Sequence, residues 1–237
     1  ASPRRPATPD LAFGLVPDSV VAALENVDDW QTRASALEQL KHALAHVADV
    51  TTLLPHLGPL IRVLTGPLLH DANFTIALTT LESLSELVHR AGFHINTHVP
   101  GVLVSLFNKL GDSKLVIRTT VMAIMMRLMA IVTPKPILAY LLKQLDHKSW
   151  RVRCDIVDIV IAAMLTFSDY TFDFRVLVNS LAKLLADPHE RVAVLTLEAF
   201  ALMESRTRGN EILRMLTTKA DAAPPHAVQA RCMAPAD

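Results

Sequence analysis

The sequence predicts an all-α solenoid of about five stacked helix pairs with a partial sixth. Apolar residues make up 51% of the 237 residues and aromatic residues only 5%, which favours packing of helix on helix over a β-sandwich. Apolar side chains recur at helical spacing almost continuously from Asp18 to Leu216. Short polar turns interrupt this pattern at nearly regular intervals, as expected of a repeat protein.

The polar turns define the repeat. Each is marked by an aspartate: Asp29, Asp71, Asp112, Asp146 and Asp187. The spacings of 42, 41, 34 and 41 residues are typical of HEAT repeats, whose period is about 40–47 residues. Each turn separates two helical stretches, and an Asp or Ser there can accept hydrogen bonds from the free N–H groups of the second helix.

The helix pairs follow from these turns. The predicted pairs are 18–27 with 30–48, 52–69 with 73–91, 97–110 with 114–132, 134–145 with 149–166, and 172–186 with 189–205. Asp18 is placed to cap the first helix, and Pro100, Pro134 and Pro136 fit first-turn positions. One more helix is predicted from Glu211 to Lys219, with room for a short helix at 226–231.

Three regions result. Residues 1–17 contain four prolines and are interpreted as a leader or linker. Residues 18–219 form the repeat domain, and 220–237 are a partial sixth repeat or a disordered tail. Because the chain starts with Ala1, we expect it to be part of a longer protein.

Composition argues against several classes of partner. With 23 basic and 23 acidic residues the formal net charge is zero, which disfavours nucleic-acid binding. Cys154 and Cys232 lie in no CxxC pattern, so we expect neither a disulfide framework nor a zinc site. The apolar segment 121–132 contains Arg127 and is shorter than the ~20 residues of a membrane span, so no membrane association is expected.

No motif predicts an enzyme, a cofactor or a metal site. His42 and His46 lie four residues apart but have no third ligand nearby, so surface histidines are favoured over a metal site. Neither a phosphate loop nor a GxSxG motif occurs. A methionine group is interpreted as core filling in preference to an adaptable partner groove: Met122, Met125, Met126 and Met129.

Three arginines follow the turns at similar positions: Arg33, Arg118 and Arg153. Repeat arrays need ties between neighbouring units. We therefore interpret these side chains as partners of turn aspartates, in preference to ligand contacts.

The turns resemble those of TOG domains, the HEAT-repeat modules that bind αβ-tubulin. The first turn reads DDWQTR over 28–33 and is followed by ALEQL, which is similar to the opening of a TOG domain. The fourth reads HKSWRVR over 147–153 and resembles the turns of the crescerin group of ciliary TOG proteins more than those of the polymerases. The resemblance covers residues 18–205 and reinforces the HEAT assignment.

The resemblance implies a non-enzymatic module that regulates microtubule growth or stability by binding αβ-tubulin or the microtubule lattice. The implied contacts are Trp30, Asn73, Phe74, Lys114, Lys148, Ser149, Trp150, Arg151, His189 and Arg191. It also implies a monomeric domain within a longer chain, located in the cytoplasm and cytoskeleton, with the cilium, axoneme or basal body as a further location. The alternative is a HEAT scaffold for protein interactions that does not bind tubulin.

Several of these assignments have two readings. Trp30 either presents its ring to a partner or folds back on the next helix, and presentation is favoured. Trp150 is either a loop anchor or a packed helix start, and packing is favoured. Phe74 is either presented or buried, and Arg191 lies one residue earlier than the usual repeat arginine.

Overall fold

The computed structural model describes residues 11–26, 28–207 and 210–222, and eleven α-helices lie in these ranges. The chain divides into two compact units, 1–133 and 134–237. Helix pairs build both units, and the predicted all-α HEAT-repeat class is confirmed.

The first unit holds three helix pairs. Its helices are α1 (Asp18–Leu24), α2 (Trp30–Ala45), α3 (Leu57–Thr65), α4 (Phe74–Ala91), α5 (Val99–Phe107) and α6 (Leu115–Val132). The second helices of the pairs lie side by side, with α2 packed on α4 and α4 on α6. This order brings the starts of neighbouring second helices together at one edge of the unit.

The first helices are shorter than predicted, because 3₁₀ segments replace their ends. These segments are Val50–Thr52, Leu54–His56, Pro67–His70 and Gly92–His98. Gly66 follows α3, and a Cβ atom there would lie only 2.8 Å from the Arg62 carbonyl oxygen. Pro67 then starts a new 3₁₀ turn. Gly92 ends α4 in a conformation with φ of 52° that favours glycine.

A small β-hairpin precedes α1 and was not predicted. Strand β1 (Leu11–Ala12) pairs antiparallel with β2 (Val16–Pro17), and Val16 is buried. Part of the segment interpreted as a leader therefore packs onto the repeats, since β2 contacts both α1 and α2. Pro17 precedes α1 without a side-chain cap and Asp18 is already helical, so the expectation that Asp18 caps this helix is wrong.

Helix α6 is longer than the apolar segment noted in the sequence. Its 18 residues are apolar enough to cross a membrane by length and composition alone, a test that the core helix of a soluble protein also passes. In the first unit α6 packs on α4 and α5 and buries Ile117, Val121, Ile124, Met125, Leu128 and Met129. This burial supports core filling for two of the four methionines.

The second unit continues the pattern. Its helices are α7 (Pro134–Leu142), α8 (Trp150–Thr166), α9 (Phe174–Leu181), α10 (Glu190–Arg206) and α11 (Glu211–Ala222), with 3₁₀ segments at Asp169–Thr171 and Ala182–Ala186. Helix α8 packs on α10, and α11 contacts both α9 and α10. Helix α11 matches the predicted extra helix. The expected helix at 226–231 lies outside the described residues. Cys154 is buried in α8.

Candidate functional site: the turns before the second helices

Side chains inside the turns fix their shape. The carboxylates of Asp71, Asp112 and Asp187 each accept a hydrogen bond from the backbone N–H two residues later, at 2.7, 2.8 and 2.9 Å. In the fourth turn His147 Nδ1 takes this role and accepts from the Ser149 N–H at 3.1 Å. These are Asx-type turns, in which a side chain replaces a backbone acceptor.

Capping of the helices falls to other residues than expected. Asp29 caps α2 as predicted, accepting from Gln31 N at 2.9 Å and Thr32 N at 3.3 Å. The hydrogen bonds from Thr32 lower the pKa of Asp29. The other marker aspartates do not cap. Asp71, Asp112 and Asp187 hold the turn itself, whereas the exposed Asp146 pairs with Lys183 at 2.6 Å.

The N-cap residues give the true register of the repeat. They are Asp29, Asn73, Lys114, Ser149 and His189, at spacings of 44, 41, 35 and 40 residues. Each is followed by the first helical residue: Trp30, Phe74, Leu115, Trp150 and Glu190. Four of these five positions carry a large apolar side chain, in a turn where polar residues are the rule.

The first unit presents three of these side chains to solvent. Trp30 is 46% exposed, Phe74 41% and Leu115 62%. The exposed Lys114 extends toward Phe74, with its Nζ 5.9 Å from the ring centroid. We name Trp30, Asn73, Phe74, Lys114 and Leu115 the first-unit turn surface. Both aromatic rings are therefore partly accessible to solvent, and burial of Phe74 in the core is excluded.

Within that surface Asn73 has a structural task. Its Oδ1 accepts from Thr75 N at 2.9 Å and Ile76 N at 3.4 Å, which caps α4. Leu115 is the residue that the sequence analysis missed. Its signal was a leucine directly after the turn, where the first and fourth turns carry tryptophan, but the register becomes clear only once the caps are known.

The second unit arranges its turns differently. The Trp150 ring stacks on His189 with centroids 3.7 Å apart and an interplanar angle of 11°. The Arg151 guanidinium carbon lies 4.7 Å from the centroid of the Trp150 ring. Packing of Trp150, the favoured interpretation, is confirmed. We name Lys148, Ser149, Trp150, Arg151, His189 and Arg191 the second-unit turn surface; Lys148, Arg151 and Arg191 are its exposed cations.

Two of the repeat arginines tie neighbouring turns together, as predicted. Arg33 Nη1 lies 3.0 Å from Asp71 Oδ2. Arg153 forms a bidentate pair with Asp187, with Nε to Oδ2 at 2.6 Å and Nη2 to Oδ1 at 2.8 Å. Arg118 Nη1 donates to the Asp112 carbonyl oxygen in its own turn at 3.2 Å. These three arginines therefore stabilise the turns through contacts with aspartate side chains and backbone carbonyl oxygens.

The Arg153 tie is the most buried of these contacts. Arg153 Nη1 also donates to the carbonyl oxygens of His147 at 2.6 Å and Lys148 at 3.3 Å. Burial acts to raise the pKa of Asp187, but the hydrogen bonds from Arg153 and the His189 N–H outweigh it and hold this pKa below its ordinary value. The charged pair thus fixes the fourth turn to the fifth.

The site offers contact surface and no visible reaction chemistry. Within the described ranges, His, Cys, Asp and Glu side chains form no group of three or more that could hold a metal ion. The paired rings of His42 and His46, with centroids 4.1 Å apart, lie in the last turn of α2 and at its C-cap, not at the turns before the second helices. What the turns supply are large apolar side chains beside cations, a combination suited to binding another macromolecule.

Several known proteins are similar in sequence to this chain. No protein-family profile matches the chain. The TOG array regulator of axonemal microtubules protein 1 of Homo sapiens is 36% identical over 196 residues, which is 83% of this chain and 11% of that protein. The crescerin-like protein che-12 of Caenorhabditis elegans is 28% identical over 195 residues, 81% of this chain and 15% of that protein. The chain thus spans about a ninth to a seventh of these relatives.

Two solved structures have the same fold as this chain. A structure from crescerin, which uses a TOG domain array to regulate microtubules in the primary cilium, is 34% identical and has a TM-score of 0.78, covering 93% of this chain and 90% of that one. The MAST/Orbit N-terminal domain shares the fold at 21% identity, with a TM-score of 0.72 and coverage of 94% and 95%. The repeats define a HEAT module with exposed turns. The chain belongs to the TOG domain family, and its relatives include the crescerin group, as the turns predicted.

Proposed function

We propose that this chain is a tubulin-binding module that contacts αβ-tubulin or the microtubule lattice through the two turn surfaces and catalyses no reaction. The carrying observation is the row of exposed side chains at the starts of α2, α4 and α6. Three large apolar side chains stand there, although a folded domain normally buries such groups. The relatives' names supply the partner, since they are regulators of microtubules.

The first-unit turn surface is suited to be the apolar anchor. Trp30 is close to half exposed in the free chain, and covering it removes apolar area from water with few rotamers to fix. Leu115 adds a second apolar contact. Lys114, beside Phe74, places a cation among these apolar groups.

The second-unit turn surface is suited to electrostatic attraction. Lys148, Arg151 and Arg191 are exposed, while the chain as a whole is neutral. Stacking of Trp150 on His189 holds the first turn of α8 against the fifth turn and so positions Arg151. Exposed cations of this kind accelerate encounter with an acidic partner such as tubulin and make binding salt-dependent.

The wider setting is part of the same proposal. The module acts as a monomer within a longer protein, in the cytoplasm and cytoskeleton and at the cilium or axoneme, where the names of its relatives place them. Because the chain spans only a small part of those relatives, control of polymer growth would come from several modules acting together.

The test is binding to purified tubulin by gel filtration and to microtubules by co-sedimentation. The variant Trp30→Ala with Lys148→Ala should lose about thirtyfold in affinity, since an anchor tryptophan is worth about 2 kcal/mol. Raising salt from about 50 to 200 mM should weaken the wild type and the Trp30→Ala single variant. Unchanged affinity in the double variant would refute the assignment of the turns.

Tyr170→Ala serves as the matched control. This ring is 93% exposed and lies in the segment before α9, which belongs to neither turn surface. Its removal should leave tubulin binding unchanged. A second candidate function, a scaffold for another protein, is carried by Val194 and Leu197, which are exposed on α10. A wild-type chain that binds no tubulin, but binds another protein in a way that survives the turn variants and fails on mutation of this face, would favour it.

A further inference from the structure

The fourth turn differs from three others in the group that closes it. In the second, third and fifth turns an aspartate carboxylate accepts a hydrogen bond from the backbone N–H two residues later. In the fourth turn the acceptor is Nδ1 of His147, 3.1 Å from the Ser149 nitrogen. A carboxylate accepts at any pH near neutrality, whereas an imidazole nitrogen accepts only while it carries no proton. The fourth turn therefore depends on the protonation state of one side chain.

Each of these hydrogen bonds encloses one residue, and in the fourth turn this residue is Lys148. The enclosed residues of the other three turns are uncharged: Ala72, Ser113 and Pro188. Ser149 is the N-cap of α8 and makes no side-chain capping hydrogen bond. The hydrogen bond to His147 therefore fixes the backbone that leads through Lys148 into α8.

The backbone of His147 is anchored on both sides of its ring. Its N–H donates to the Gln144 carbonyl oxygen at 3.0 Å, and its own carbonyl oxygen accepts from Arg153 Nη1 at 2.6 Å. Because Nδ1 accepts, the neutral ring carries its proton on Nε2. A second proton makes Nδ1 a donor that faces the N–H of Ser149. Two donors cannot share a hydrogen bond, so protonation opens the loop around Lys148.

Ion pairs surround the fourth turn. Arg153 places a permanent cation at the His147 carbonyl, and Asp187 of the fifth turn balances its charge. Asp146 in the fourth turn pairs with Lys183 at 2.6 Å. The hydrogen bonds from Arg153 and the His189 N–H hold the pKa of Asp187 below its ordinary value. The Arg153 tie thus stays ionised at the pH where histidines titrate, and the fourth turn opens without leaving the fifth.

The remaining charged or titratable groups of these two turns and the helix starts after them are mostly basic: Lys148, Arg151, His189, Glu190 and Arg191. A proton on His147 adds charge to this basic surface, and charge alone would strengthen attraction to an acidic partner. Displacement of Lys148 would weaken it. The two effects have opposite signs, which makes them separable by experiment.

We propose that His147 is a positioning residue of the second-unit turn surface, which holds Lys148 in place while Nδ1 is unprotonated and releases it when Nδ1 is protonated. Histidine changes charge between about pH 5 and 8, so the turn surface responds to pH near neutrality. The effect on tubulin rests on the proposed function, whereas the opening of the turn does not.

NMR of the free chain between about pH 5.5 and 8 measures the opening. The ring nitrogen shifts show which nitrogen of neutral His147 carries the proton, and the amide shift of Ser149 follows its hydrogen bond. We expect the proton on Nε2 and a Ser149 amide that moves upfield as the pH falls. In His147→Asn the amide oxygen accepts at any pH, so the Ser149 shift should stay constant. A proton on Nδ1 of the neutral ring, or the same titration in the Asn variant, would overturn the proposal.

Tubulin binding is then compared at about pH 6 and pH 7.5 for three chains. His147→Asn has the acceptor at both values and His147→Ala at neither. The wild type should match the Asn variant at the higher pH and the Ala variant at the lower pH, about fivefold weaker, the size of one net hydrogen bond. Titration of tubulin itself cancels, since all three chains meet the same partner. A wild type that binds more tightly than the Asn variant at the lower pH would show that added charge dominates and refute the positioning role.

Two controls locate the effect. His70→Asn removes an exposed histidine of the second turn, where Asp71 is the acceptor, and should keep the pH dependence of the wild type. In a Lys148→Ala background the difference between His147 and Asn at the lower pH should shrink to about twofold or less. An undiminished difference there would mean that His147 does not act through Lys148, against the proposal. Failure of every chain to bind tubulin would refute the proposed function alone, and the NMR titration would still decide the role of His147.

Discussion

The tie between Arg153 and Asp187 can be broken with a predictable cost. The side chains are only 11% and 5% exposed, and the guanidinium also serves the His147 and Lys148 carbonyls. Arg153→Ala leaves the Asp187 carboxylate buried without its cation. Removing one member of a buried pair costs about 3–5 kcal/mol. We therefore expect the free energy of unfolding of the second unit to fall by about 3 kcal/mol or more.

Arg33→Ala provides the comparison. Arg33 and Asp71 are joined by one ion-pair contact at 3.0 Å, with 13% and 12% of the side chains exposed. A single contact with better access to water should cost about 1–2 kcal/mol. The two substitutions are chemically identical and remove the arginine at corresponding places in two pairs, so their difference measures the bidentate geometry and the carbonyl contacts.

Urea unfolding followed by tryptophan fluorescence is the assay. The chain has two tryptophans, Trp30 in the first unit and Trp150 in the second. In a Trp30→Phe background the signal reports the second unit, and in a Trp150→Phe background the first. A loss below about 1 kcal/mol for Arg153→Ala, or a larger loss for Arg33→Ala, would refute this reasoning.

The pH dependence of the Arg153→Ala effect has a defined sign. The pKa of Asp187 is lowered in the folded chain, so the pair contributes stability above the ordinary pKa of an aspartate, about 3.9. This contribution is lost as the pH falls through the lower, folded value. The stability difference between wild type and variant should therefore be constant near neutral pH and shrink progressively below about pH 4.

Two further predictions concern a cap and a thiol. Asn73→Ala should lower the stability of the first unit by about 1 kcal/mol in urea unfolding, because α4 loses its N-cap, whereas Asn73→Ser should retain most of it; equal losses would contradict the capping role. Burial raises the pKa of Cys154 to about 11, so at pH 8 about one thiol in a thousand is ionised. In a Cys232→Ser background, Ellman's reagent should therefore label Cys154 only in urea, and rapid labelling of the native chain would show that this thiol is accessible.

The helix pairs could be predicted from the sequence because their signals are local. Apolar spacing and polar turns located every second helix to within a few residues. The first helices were predicted too long, because Pro67 and Gly66 convert the end of one stretch into a 3₁₀ turn. The hairpin at 11–17 escaped notice because it has only two residues per strand and turns through Phe13 and Gly14 with positive φ.

The candidate site was predictable in part. The Arg33 and Arg153 ties were predicted because these arginines follow the turns at similar positions and repeat arrays need contacts between neighbouring units. Exposure of Trp30 followed from its polar neighbours. Leu115 was not predicted as a contact residue. It directly follows the N-cap of α6, and the lysine at that N-cap is not a residue type that usually caps a helix. Stacking of Trp150 on His189 joins residues 39 positions apart, and no local pattern encodes such a contact.

The Asx turns have a consequence for how freely this sequence can vary. Asp71, Asp112 and Asp187 already bind the N–H of the residue that precedes each second helix. That residue is the N-cap of the helix, and it is asparagine, lysine and histidine in turn; Asn73 also caps its helix through its side chain, whereas Lys114 and His189 do not. At these two positions the turn holds its backbone course without a side-chain cap, so the residue there can change in charge and size. Different modules built on this plan can acquire different partners by altering such a position.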